Sequence, residues 1–318
     1  MIIKSGQYYI NIFFLKIRKK MFIKNNEERY YNVSRKYANR KVLPKEEVNQ
    51  VIFNMIQGDE PIMIGRFGST ELMNLVTYDF FENSQKKEKA LDQLGRWSGF
   101  FPLEIQALEK FTIYMKHSCQ QVNLLAIWDL PMESHYIKKY MKQCNELTWL
   151  GNLDPWNNPQ NPWTNALKGK KVLVIHPFAE TIEKQYKHRE YLWKETSILP
   201  EFELCTITAV QTLAGERDSR FSSWFDALEF MFEETMKQEF DIALIGCGAY
   251  GFPLAAKIRE SGKKAIHLGG SLQILFGIRG KRWDDSPLLK QYYNEYWTRP
   301  AITENISKLK SVENGCYW

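Results

Sequence analysis

From Pro61 onward the apolar positions follow two alternating rhythms. Short runs at Ile62–Phe67, Asn123–Trp128, Lys171–Ile175, Glu203–Val210, Asp241–Ile245 and Ala265–Leu268 are dense in aliphatic and β-branched residues and predict buried strands. Between them the spacing turns helical. Glu71, Leu72, Leu75 and Val76 put one apolar face on a helix, and further helices are predicted near Lys87–Ser98, Leu103–His117, Met132–Cys144, Glu180–Trp193, Ser222–Gln238 and Tyr250–Ser261, the last closed by Gly262. Strands separated by helices of this length pair in parallel through crossovers, so the expected fold is α/β: Rossmann-like, with a mostly parallel sheet and helices on both faces.

One stretch breaks the rhythm. Gly151 to Trp163 holds three prolines, four asparagines and two tryptophans, which is loop chemistry. It divides two halves that either share one sheet or stand apart, and no internal repeat relates them. The expected organisation is a basic arm over residues 1–45, partly disordered, and one catalytic α/β domain over 46–318 that includes an aromatic, packed C-terminal tail.

Charge separates the arm from the body. The formal charge of the 318-residue chain is +6, but residues 1–45 carry 12 Lys/Arg against 2 Glu, leaving the remainder at −4. The basicity therefore belongs to the arm and argues against a nucleic-acid-binding face. No apolar run reaches the roughly 18 to 20 residues of a membrane span, although a basic, aromatic arm suits peripheral contact with an anionic inner membrane face. Met21 is a second candidate for the start of translation. Five scattered cysteines with no CxxC pair speak against a disulfide framework or zinc cluster, and for a cytoplasmic setting.

Two turns carry the chemistry. Gly246-Cys247-Gly248-Ala249-Tyr250-Gly251 is a GxGxxG directly after a predicted strand and opening a helix. Small residues there admit a ligand close to the backbone, and the helix N-terminus attracts phosphate. The acid that a dinucleotide site places about 20 positions on is missing; the next strand ends His267-Leu268-Gly269-Gly270 instead. Gly65-Arg66-Phe67-Gly68-Ser69-Thr70-Glu71 is the second strand-to-helix turn, where Arg66 suits a phosphate and Glu71 a metal or a sugar hydroxyl. Either turn also has a purely structural reading: tight packing for the glycines, and a helix cap and first-turn acid for Ser69 and Glu71.

Taken together these segments resemble a known family. Ile64 to Glu71 is similar to the Arg-x-Gly-Asp-Gly-Glu segment of GT-D-type glycosyltransferases, and Asp241–Gly251 with Gly262–Gly270 is similar to the C-terminal part of bacterial GT-D-fold-like proteins. The resemblance spans roughly Pro61 to Trp283. It implies transfer of a sugar from a nucleotide-sugar donor, with Mn2+ or Mg2+ held at an Asp-x-Glu pair; here Ser69 stands in the Asp position and Glu71 matches the Glu. The nucleotide site would comprise Arg66, Gly68, Ser69, Gly246, Gly248, Tyr250, Gly251, Gly269 and Gly270. Glu71, Asp218 and His176 are the catalytic candidates, Glu71 also the metal candidate, and Trp156, Trp163 and Arg217 the candidates for binding the sugar or a glycan or lipid-linked acceptor. For the last five of these residues the bland readings are a turn histidine, a solvated charged loop and a loop pinned to the core. The functional alternatives are a non-catalytic nucleotide- or glycan-binding module and a dinucleotide-dependent oxidoreductase.

Overall fold

The computed structural model describes residues 2–23, 36–304 and 315–318, with side chains of the first helix from residue 5 to 16. Nine strands form one sheet: β1 (Lys36–Tyr37), β2 (Arg40–Leu43), β3 (Met63–Gly65), β4 (Leu124–Ile127), β5 (Glu146–Trp149), β6 (Lys171–His176), β7 (Glu203–Thr208), β8 (Ile242–Ile245) and β9 (Lys264–His267). Their order is β1-β2-β5-β4-β3-β9-β8-β6-β7. Every pairing is parallel except β1 with β2. The fold is the expected α/β class, and all six predicted strands are present.

Strand pleating sorts the core into two layers. Leu125, Ile127, Leu173, Ile175, Ala243, Ile245 and Ala265 point into one apolar cluster. Their neighbours Leu124, Ala126, Val172, Val174, Ile242, Leu244 and Ile266 point into the other. Side chains alternate across a strand with a period of two, and both faces must be covered in a parallel sheet. The principal helices are α1 (Ile2–Ile23), α2 (Lys45–Gln57), α3 (Ser69–Phe80), α4 (Ser84–Ser98), α5 (Ile105–Cys119), α6 (Glu133–Tyr140), α7 (Ala179–Tyr186), α8 (Trp224–Met236), α9 (Gly251–Glu260) and α10 (Ser271–Leu275). Apolar faces of α3, α4, α5, α6, α8 and α9 feed the first cluster. Those of α2, α7 and α10 feed the second.

The two halves meet where β3 pairs with β9, Met63 opposite Ala265 and Ile64 opposite Ile266. Crossovers β3→β4 and β8→β9 step the same way along the sheet with their helices on the first face, whereas β6→β7 steps the opposite way with α7 on the second, so the connections diverge between β8 and β6, one strand from this pair. Open α/β sheets place their ligand crevice at such a point, outside the carboxyl ends of the strands.

Three features depart from the sequence expectation, the first being β5, an interior strand at Glu146–Trp149 that was not expected. Residues 36–43, assigned to the arm, supply β1 and β2, and β2 pairs in parallel with β5 through Lys41, Val42 and Leu43. Gly151 to Trp163 is a loop as expected, but it winds into 3-10 turns that bury Trp156 and Trp163 in the second apolar cluster.

Candidate functional site

At the carboxyl edge of the sheet lies a cavity of about 460 Å³. The ends of β3, β4, β6, β8 and β9 contribute Arg66, Trp128, His176, Gly246 and His267 to its wall. Seven residues of the two predicted turns and of the Gly269-Gly270 pair line it together: Arg66, Gly68, Ser69, Gly246, Gly248, Gly269 and Gly270. Glu71 lines it as well and is its single carboxylate among the described residues.

The glycines are small for identifiable reasons. A Cβ on Gly246 would lie 2.7 Å from the Gly269 carbonyl and 2.8 Å from the His176 ring. Gly269 has φ +65, and a Cβ there would lie 2.9 Å from Nη1 of Arg66. Gly68, the residue capping α3, is covered by the Glu71 carboxyl, which occupies the space a Cβ would need. These close approaches hold three strand ends, one guanidinium and one carboxyl around the same space.

Two arginines, Arg66 and Arg282, face one side-chain carboxylate, Glu71, across the cavity lining. Arg66 donates from Nε to the Phe67 carbonyl at 3.2 Å and lies over the Trp128 ring at 4.9 Å. No carboxylate among the described residues lies within ion-pair distance of it. Burial pushes its pKa down and Arg282 adds to that, countered by Tyr317, Glu71 and Asp154. Desolvation of a guanidinium is costly unless carboxylates or another anion offset it. Arg282 lines the same cavity and donates to the Tyr317 hydroxyl at 3.2 Å. Three residues that line the cavity each bury a polar atom with no hydrogen-bond partner among the described residues: Nε1 of Trp128, Oε1 of Gln273 and Nε1 of Trp318.

His176 takes a different part from the base expected of it. The Phe178 N–H donates to its Nδ1 at 3.0 Å, and burial lowers the ring's pKa to about 3. The imidazole is therefore neutral with its proton on Nε2: a hydrogen-bond donor, its one free lone pair already used.

Other expected site residues lie elsewhere. Asp218 is ion-paired with Arg220 at 2.5 Å in the loop before α8, which holds its pKa below the usual range, and it is not on the cavity wall. Arg217 borders a separate groove of about 360 Å³ together with Arg96, Phe101 and Glu216. Tyr250 is buried, stacked on Trp224 and hydrogen-bonded to Thr212 at 2.9 Å, so it anchors the turn from behind. Gly251 admits the His267 ring to the start of α9, a packing role. Trp156 stacks on Trp193 with rings 6° from parallel, and Trp163 donates from Nε1 to Leu153 at 2.9 Å. Both tryptophans are inside the core and offer no face to a sugar.

The sequence reading also passed over residues that the fold delivers to the wall. Trp128 directly follows β4 and His267 ends β9, positions that strand assignment alone could have singled out. Arg282, Tyr317 and Trp318 come from the tail, which folds back through Gln273 Nε2 donating to the Tyr317 carbonyl at 2.9 Å and the Arg282 N–H donating to the Cys316 carbonyl at 2.9 Å.

For a divalent cation the donor set is thin. Among the described residues no three His, Cys, Asp or Glu side chains gather into a metal-binding group. Ca2+ and Mg2+ take six or more oxygens. The residues present do not form a protein cage for the ion, since Glu71 alone would have to be its protein ligand.

Comparison with known proteins places two solved structures beside this chain. One is described as the selenomethionine-substituted structure of domain of unknown function 1792: TM-score 0.43, 13% identity, covering 82% of this chain and 96% of its own. The other, described as the highly conserved domain of unknown function 1792 with a distinct glycosyltransferase fold, has TM-score 0.44 and 13% identity over 84% of this chain and 93% of its own. No family model and no curated protein matches the chain.

Proposed function

We propose that the chain is a glycosyltransferase that takes a sugar from a nucleotide-sugar donor and passes it to a glycan or lipid-linked acceptor in the assembly of surface polysaccharide or glycoconjugate. The observation that carries the donor part of this reading is Arg66, desolvated, unpaired with any described carboxylate and flanked by two glycine-rich turns at the sheet edge. In this reading Arg66 and Arg282 bind the diphosphate, the N-terminus of α3 adds its N–H groups, and Trp128 and Tyr317 offer faces to the base or sugar. Glu71 is the group at the reacting sugar or the attacking hydroxyl. A cation, where one takes part, arrives with the diphosphate. The sugar half of the proposal rests on the resemblance of the two turns to GT-D-type enzymes.

A thermal-shift panel of nucleoside diphosphates, nucleotide sugars and NAD(P), each with and without Mn2+, tests the reading. A ligand at 100 times its dissociation constant adds about 2.7 kcal/mol to stability. Nucleotide sugars should raise Tm in wild type, whereas Arg66→Gln should lose that shift and keep or raise the ligand-free Tm, because it removes a buried charge. A fall in ligand-free Tm with ligand response retained would make Arg66 structural and overturn the site. Binding without turnover favours the module reading, for which the single carboxylate of the cavity speaks.

A further inference from the structure

Helix α1 has two apolar faces, and the body of the protein uses one of them. On the inner side Leu15 is buried, the Tyr8 ring meets Phe81 edge-on at 4.9 Å, and Asn11 Oδ1 accepts from the Met132 N–H at 3.1 Å. On the outer side Tyr9, Ile10, Phe13 and Phe14 are each 57–60% exposed. At 100° per residue these four fall within about 140° of arc, with Tyr9 at its border also meeting Phe81 edge-on at 6.4 Å. Four bulky apolar side chains within six residues form a contiguous patch rather than scattered exposure, and such patches mark contact surfaces.

Charge identifies what covers it. Residues 1–24 contain six Lys/Arg and no Asp or Glu. Lys138 and Lys139 of α6 add two exposed lysines at the border of α1, sharing a surface pocket with Gln7 and Asn11. Two copies joined through α1 would bring these cations face to face, whereas an anionic surface neutralises them. No described helix is long and apolar enough to cross a membrane. A segment of this basic sequence with exposed aromatic residues on one helix face suits the plane of a lipid headgroup layer.

We propose that α1 is an interfacial helix that seats the protein on an anionic lipid leaflet, Tyr9, Ile10, Phe13 and Phe14 entering the headgroup–acyl boundary and the Lys/Arg side chains meeting lipid phosphates. The surface is separate from the sheet-edge cavity, so its test is independent of the sugar-transfer reading.

The test is flotation of the full chain with phosphatidylcholine vesicles, with and without phosphatidylglycerol, at low and high salt. Point variants are used because the inner face of α1 packs on the body through Tyr8, Asn11 and Leu15, which a truncation would uncover. Wild type should float with the anionic vesicles, release as salt screens the lysines, and ignore neutral ones. The double variant Phe13→Glu/Phe14→Glu should bind at least about tenfold more weakly, with far-UV circular dichroism and nucleotide thermal shift unchanged, while Phe13→Leu/Phe14→Leu should bind like wild type. Failure to float with anionic vesicles, equal binding to both vesicle types, or binding untouched by the Glu pair would each overturn the proposal. So would a wild-type dimer that the Glu pair dissolves in the absence of vesicle binding, which would assign the patch to a second copy.

Discussion

Glu133, at the start of α6, keeps its carboxyl inside the protein. Its Oε2 accepts from the Leu130 N–H at 3.2 Å, its Oε1 has no partner, and burial raises its pKa from 4.5 to about 8. The folded chain therefore holds a proton there that the unfolded chain releases, so the associated stability is present below about pH 4.5 and is lost as pH rises toward 8. Glu133→Gln imitates the protonated acid. In urea unfolding at several pH values the variant should gain on wild type by up to about 1.4 kcal/mol per pH unit across that window; a constant difference would mean that Glu133 is ionised in the fold. His176 and His267 work in the opposite direction. Burial lowers both to about 3 from 6.5, and Arg66 adds to the shift at His267. Stability from their neutral forms is present above pH 6.5 and lost as pH falls toward 3.

At the scale of elements, α3 depends on one contact between its cap and its first turn. The Glu71 carboxyl lies over Gly68, in the space any side chain at position 68 would take. Gly68→Ala should displace that carboxyl and reduce turnover of the nucleotide sugar by at least tenfold, equivalent to about 1.4 kcal/mol of transition-state stabilisation. Glu71→Gln should do the same with Tm nearly unchanged. Because both act through one group, the double variant should be little worse than either single one. Additive losses in kcat/KM would show that Gly68 serves the ligand through its backbone instead.

Across the whole molecule, the loop of residues 151–163 is part of the core. Trp163 is buried beneath α2, its N–H receiving no solvent and its backbone N–H donating to Asn49 Oδ1 at 2.8 Å. Trp163→Ala should cost about 3–5 kcal/mol in chemical denaturation and leave nucleotide affinity as it was. A loss of affinity without loss of stability would return this residue to the binding surface. The β3–β9 pair ties both halves into one sheet, so fluorescence and circular dichroism should report one coincident transition in that experiment.

Periodicity and turn chemistry are local, and the chain alone was sufficient for what depends on them: six of the nine strands, the helices between them, and the two glycine-rich turns at the carboxyl edge. Strand alternation even assigns neighbours to opposite core layers. Long-range pairing decided the rest. Arg40–Leu43 is four residues long and half basic, and becomes a strand only because β5 lies beside it. Whether Trp156, Trp163 or Tyr250 faces a ligand or the core depends on what packs over it: Trp193, α2 and Trp224. Asp218 reads as a candidate acid until Arg220 is seen to hold it two residues away. The tail's return, which brings Arg282, Tyr317 and Trp318 to the cavity, rests on hydrogen bonds between residues more than thirty positions apart. No spacing in the sequence encodes such contacts, because side-chain direction and burial are properties of the assembled layers.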